Sequence, residues 1–322
     1  MRSGTLSQPE PPGPEDREPE DRENGMPTQA LYLGRDWAID HDRRARVSNA
    51  ELRYTVLGEG EPVLCIHGTS IADSLITPLR FHPPLFDDYR MISYYRAGYN
   101  GSTLEKDTLS IEEGAVHVRE LLDHLGIERA HILAFSFGGV IAFQFLLDFP
   151  ERAHSAILLE PYLPRESPEA IQANIDAFNR ANELYQRGEK LRAGQLYMEL
   201  VCGPSFLGAV DMTNPLDVWE RVEAAVDTTF TVDFPAITNW GFRPSQADRF
   251  ADRKPKMPVL AVMGMDSEAA MPGFRETQRF LMDWLPQAER AAIMNATHGM
   301  QSMNPVAVAE SVHAFLQRHP MR

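Results

Sequence analysis

Residues 131–149 restrict what this chain can fold into more than any other stretch. The five residues before Ser136 read as a strand covered on both faces, and the thirteen after it, 137–149, read as a buried helix. A chain that passes from strand to helix at a single residue holds that residue in a strained backbone conformation. It also needs little bulk two positions to either side, so that the crossing chains can pass. Ala134, Gly138 and Gly139 meet that demand. Such a corner lifts the Ser136 hydroxyl out at the carboxyl end of a sheet and points it at the first amides of a helix, where negative charge is favoured.

The flanking sequence repeats the strand-then-helix rhythm. Segments 63–66, 89–95 and 154–159 read as strands, the first of them continuously apolar. A helix starts at Ser110, with Glu113 three residues on and Val118, Leu121, Leu122 and Leu125 along one face up to Gly126. Strands alternating with helices from 63 to 160 require a mostly parallel sheet with right-handed crossovers. Before it, 44–47 and 51–57 read as a hairpin. The rhythm breaks at 162–256, where 168–187, 190–201 and 215–226 read as helices between prolines. It resumes with a strand at 258–264, a helix at 272–285, a short strand at 290–294 and a closing helix.

Composition narrows the function classes. A 43% hydrophobic fraction over 322 residues supports one large core with an insertion. No apolar run reaches the length of a membrane span and the first residues lack a hydrophobic signal segment, so the expectation is a soluble, cytoplasmic protein with no membrane association. The net charge of -15 argues against nucleic-acid partners. Residues 1–28 are acidic and proline-rich with Leu6 and Met26 as the large apolar side chains beyond Met1, and are expected to be disordered. Cys65 and Cys202 are read as core thiols, with no disulfide. His117, His124 and His131 recur every seven residues but span a helix and a strand, so they are read as surface or loop histidines rather than metal ligands. No nucleotide loop or zinc spacing occurs, and neither metal nor cofactor is implied.

At Ala134-Phe135-Ser136-Phe137-Gly138 the chain resembles the α/β-hydrolase fold family, in its serine-nucleophile, lid-containing branch. The family motif is G-x-S-x-G, and Ala134 stands in place of the first glycine. His67-Gly68-Thr69-Ser70 after the 63–66 strand is similar to the family's oxyanion loop. Residues 96–102 are similar to its R-x-G-[YF]-G-x-S stretch, with Asn100 where glycine is commoner. The resemblance covers roughly 44–160 and 257–318. It implies an α/β core over 29–161 and 257–322, a mostly parallel sheet flanked by helices, and a helical lid at 162–256 above Ser136. It also implies an oxyanion hole built from the amide of Phe137 and one at Gly68 or Thr69. With serine rather than aspartate at 136, dehalogenase and epoxide hydrolase chemistry, which use a carboxylate nucleophile in this fold, are disfavoured.

A serine hydroxyl attacks a carbonyl only when a neighbour takes its proton, and the imidazole that does so needs an anion behind it. In this fold the order is serine, acid, histidine. Ser136, Asp266 and His298 follow it, each just past a strand that ends on the same edge of the sheet. Glu160 is the alternative acid, at a position some relatives use. It precedes Pro161 and suits a structural turn, so Asp266 is favoured. The expected activity is serine hydrolysis of an ester, lactone or related small carbonyl compound, apolar or aromatic to match the aromatic residues of the insertion. Carbon–carbon bond hydrolysis, a biosynthetic cyclase or lyase reaction, and a non-catalytic small-molecule receptor are the alternatives on the same scaffold.

Overall fold

The computed structural model describes residues 41–321, so the expectation of a disordered tail at 1–28 lies outside the described residues. The sheet has eight strands: β1 (Arg43–Val47), β2 (Ala50–Leu57), β3 (Glu61–Ile66), β4 (Tyr89–Tyr94), β5 (Ala130–Phe135), β6 (Ala153–Leu159), β7 (Val259–Gly264) and β8 (Ala288–Ile293). Their order is β1-β2-β4-β3-β5-β6-β7-β8. The β1–β2 hairpin and the β2–β4 pair are antiparallel, and every pairing from β4 to β8 is parallel. All the parallel strands therefore end on one edge, the edge toward which the serine corner was expected to point.

Helices cover both faces. In chain order they are α1 (Ile76–Leu79), α2 (Pro84–Asp88), α3 (Ile111–His124), α4 (Phe137–Asp148), α5 (Pro168–Gln186), α6 (Lys190–Cys202), α7 (Phe206–Thr213), α8 (Val218–Thr228), α9 (Phe234–Asn239), α10 (Ser267–Ala270), α11 (Phe274–Trp284), α12 (Met300–Met303) and α13 (Pro305–Arg318). The strand period of two splits the apolar side chains between the faces. Leu64, Ile66, Ile132 and Ala134 pack under α3 and α4, whereas Val63, Cys65, Leu133 and Phe135 pack under α1, α12 and α13. Buried on nearly every side, α4 fits its uninterrupted apolar sequence. α3 is amphipathic and opens on a capping box in which the Ser110 side chain accepts from the Glu113 N–H while the Glu113 carboxylate accepts from the Ser110 N–H. Such a cap contributes about 1 kcal/mol.

Between β6 and β7 the chain runs through α5 to α9, with a π-helical turn at Thr229–Asp233 joining α8 to α9. Phe178, Tyr185, Phe230 and Phe234 form one cluster of rings within this insertion, with Tyr185 stacked on Phe230, and Trp240 and Phe242 pack on Phe143 of α4. Most of the insertion's aromatic side chains thus hold it together or fasten it to the core.

Two of the three regularly spaced histidines are not at the surface. His117 is buried with Nε2 2.5 Å from Asn49 Oδ1, and His131 is buried inside β5 with Nδ1 2.7 Å from Ser155 Oγ. Their partners lie far away in sequence, so spacing alone did not reveal their burial. No described helix is long and apolar enough to cross a membrane.

Candidate active site

β5 hands the chain to α4 at Ser136, whose backbone sits at φ 53°, ψ -119°. The strained corner is held from three directions. The Ser136 N–H donates to the Leu159 carbonyl of β6 at 3.1 Å, and the Ser136 carbonyl accepts from Gly139 at 2.9 Å and from Tyr162 at 3.0 Å. Gly138 has no alternative residue: a Cβ there would stand 2.2 Å from the Ile66 oxygen and 2.4 Å from that of His67. A Cβ on Gly139 would stand 2.7 Å from that of Pro161. Ala134 is fully buried in the strand, and its methyl group is accommodated where the family motif has glycine.

His298 reaches the serine from the loop after β8. Its Nε2 lies 2.8 Å from Ser136 Oγ, and its Nδ1 lies 2.8 Å from Glu160 Oε2. All three side chains are buried. The imidazole lies between the Phe135 ring, at a centroid distance of 4.8 Å, and the Phe274 ring, stacked at 4.4 Å. Gly299, next in the chain, makes this possible, because a Cβ there would meet the Phe206 ring at 2.1 Å.

The acid in contact is Glu160, and the preference for Asp266 does not match the geometry. Glu160 leaves β6 at φ 40°, which turns its side chain under the histidine loop. Its second oxygen, Oε1, accepts from the Gly264 N–H at 2.8 Å. Asp266 lies two residues beyond that glycine, is exposed, and heads α10. Its N–H donates to the Ala296 carbonyl, and its own carbonyl accepts from Ala269 and Ala270. Nearby Glu268 accepts from the Gly273 and Arg275 amides.

Burial pushes the His298 imidazole below its usual value of 6.5. The Glu160 hydrogen bond and charge pull it back up, and the Arg165 charge lowers it further. The result is an imidazole that is neutral at pH 7 and able to accept a proton. Arg165 lies with its guanidinium 4.6 Å from the centroid of Phe274, the ring stacked on His298.

The predicted oxyanion donors, Thr69, Gly68 and the Phe137 amide, gather at the same place. Thr69 shares a pocket with Ser136 and His298, and Phe137 N–H is the first amide of α4. Gly68 packs close to the corner, where a Cβ would meet Ser136 Cβ at 3.1 Å. Burial, together with the Arg96 charge, pushes the His67 imidazole well below its usual 6.5, which keeps the ring neutral. It acts within the loop, with Nδ1 2.7 Å from the Gly68 oxygen and Nε2 accepting from the Arg96 N–H at 2.9 Å.

The insertion supplies the outer wall of the pocket through Tyr197, Met198, Val201, Cys202 and Phe206, and Ile71 and Phe135 add apolar surface. The cavity is small, about 30 Å³. Cys202 is buried in the apolar cluster of the insertion, as a core thiol, and also lines the pocket. Burial raises its thiol and that of Cys65, and both are free. Among the described residues, no three His, Cys, Asp or Glu side chains gather as a metal site.

Comparison with known proteins bears on the fold. The family model for the alpha/beta hydrolase fold matches residues 61–198. Epoxide hydrolase 1 of Caenorhabditis elegans is 25% identical over 299 residues, covering 86% of this chain and 70% of that protein. The 2-hydroxy-6-oxo-6-phenylhexa-2,4-dienoate hydrolase of Comamonas testosteroni is 35% identical over 120 residues, covering 36% of this chain and 41% of that enzyme. Among solved structures, a thermophilic esterase from Thermogutta terrifontis superposes with a TM-score of 0.68 at 21% identity, over 86% of this chain and 100% of that one.

Proposed function

We propose that this chain, which belongs to the α/β-hydrolase fold family, is a cofactor-independent serine hydrolase that cleaves an ester, lactone or related small carbonyl compound. The observation that carries the reading is the unbroken relay from Ser136 Oγ through His298 to Glu160, 2.8 Å at each step and buried throughout. In this scheme His298 takes the serine proton as the hydroxyl attacks the carbonyl carbon. Glu160 holds the imidazole with its proton on Nδ1 and balances the charge that forms. The amides of Phe137 and Thr69 stabilise the oxyanion. His298 then protonates the leaving group, and water, activated by the same imidazole, releases the acid from the acyl-enzyme. Residues 162–256 serve as the lid, and the tight apolar pocket suits a short acyl group.

A serine at the corner, where carboxylate-nucleophile chemistry would need an aspartate, favours acyl transfer over epoxide opening. Carbon–carbon bond hydrolysis is the second reading, favoured by the 35% identity to the Comamonas enzyme. Treating the full chain with a fluorophosphonate, locating the adduct by mass spectrometry, and assaying p-nitrophenyl esters of increasing chain length separates these readings. The expected result is an adduct on Ser136, fastest turnover of the short esters, and loss of both in Ser136→Ala, with turnover down by about 10⁴-fold or more. Labelling without ester turnover moves the assignment to carbon–carbon cleavage, and undiminished ester turnover in Ser136→Ala ends the proposal.

A further inference from the structure

The oxyanion hole needs the Thr69 N–H turned toward Ser136, and in a trans peptide that N–H points opposite to the Gly68 carbonyl. Whatever holds the Gly68 oxygen therefore aims the Thr69 amide. Two donors hold it. Because His67 Nε2 accepts from the Arg96 N–H, its proton sits on Nδ1, which donates to the Gly68 oxygen at 2.7 Å. Arg96 Nη2 donates to the same oxygen at 3.1 Å.

The Arg96 guanidinium is itself fixed by the insertion. Nη1 and Nη2 donate to the two oxygens of Asp233 at 2.9 and 2.6 Å, and both side chains are 2% exposed. The Tyr99 hydroxyl donates to Asp233 at 2.6 Å and accepts from the Ser70 N–H at 3.4 Å, which ties down the next residue of the oxyanion loop. The Arg96 guanidinium also lies 4.6 Å from the centroid of Phe137, the residue whose amide is the other oxyanion donor. Asp233 closes the π-helical turn between α8 and α9, so one carboxylate of the insertion is joined through one guanidinium to the Gly68 oxygen, and that guanidinium packs on the Phe137 ring. A buried ion pair adds little net stability over apolar residues of the same volume, so stability alone is a weak reason for it to be there.

We infer that the Arg96–Asp233 pair is a positioning device that orients the Gly68–Thr69 peptide, so that the insertion sets the geometry of the oxyanion hole. This rests on the serine-hydrolase reading. Its test uses the rate of fluorophosphonate labelling, which needs no knowledge of the natural substrate. Arg96→Lys keeps a charge opposite Asp233 but has no planar fork to serve both Asp233 and the Gly68 oxygen. The expected result is a maximal labelling rate (kinact) lowered about 10- to 100-fold, with the reagent's half-saturating concentration within about threefold of wild type. The double substitution Arg96→Met with Asp233→Leu leaves no unpaired buried charge and keeps the fold testable. It should retain a cooperative melt and show the same fall in kinact. An unchanged kinact in either folded variant, or a loss confined to half-saturation or to melting temperature, overturns the inference. Failure of the wild-type chain to label at Ser136 instead removes the hydrolase reading beneath it.

Discussion

The turns that follow β6 and β7 lie side by side at the carboxyl edge of the sheet, and each carries an acidic candidate, yet only one turn bends its carboxylate inward. Glu160 takes a positive φ of 40°, its N–H donates to Val262 of β7 at 3.0 Å, and its side chain passes beneath His298. The β7 turn takes part through its backbone: the Gly264 N–H binds the other oxygen of Glu160. By the time that chain reaches Asp266 it has turned outward to start α10. The contrast teaches that an acid is chosen by backbone direction at the strand end more than by its distance past the strand. A neighbouring turn can support the acid with one amide and contribute no side chain.

Five predictions bear on this contrast. Glu160→Gln should lower kcat on a p-nitrophenyl ester by about 10³- to 10⁴-fold, because the amide cannot balance a protonated imidazole. Retention of more than a tenth of wild-type kcat would remove Glu160 from the relay. Gly264→Ala comes next. Its new Cβ would stand 2.6 Å from the backbone oxygens of Ala296 and Thr297, so the histidine loop must shift. A shift of that kind should cost roughly 10- to 100-fold in kcat.

The pH dependence is a smaller effect. His298 must be neutral to act and its folded-state value is lowered by burial, so the acid limb of kcat/KM should have its midpoint below 6.5. The same burial of neutral imidazoles at His67, His131 and His298 means the unfolded chain binds more protons once the pH drops below 6.5. Stability should therefore be complete above that pH and decline below it, which melting temperatures across the range would read. The smallest effect belongs to Asp266→Asn, an exposed change expected to leave kcat within about twofold.

Local signals made much of the site readable in advance. The serine corner was legible because close chain crossing demands small residues at 134, 138 and 139, and contact with Phe206 explains the glycine after His298. The capping box of α3 was equally local. The acid was not, because a residue before proline is biased toward extended backbone. Nothing in the sequence signals the positive φ that brings Glu160 inward. Asp233 carried no signal either: it meets Arg96 across 137 positions, through a π-helical turn within the region read only as helical.

The most direct test of the relay follows the His298 ring by NMR with ¹⁵N-labelled histidine, titrating the wild-type chain, Glu160→Gln and Asp266→Asn. Glu160 is the group that holds the imidazole up against burial, so Glu160→Gln should move its titration to still lower pH while Asp266→Asn leaves it in place. A downward shift in Asp266→Asn with none in Glu160→Gln would contradict the account.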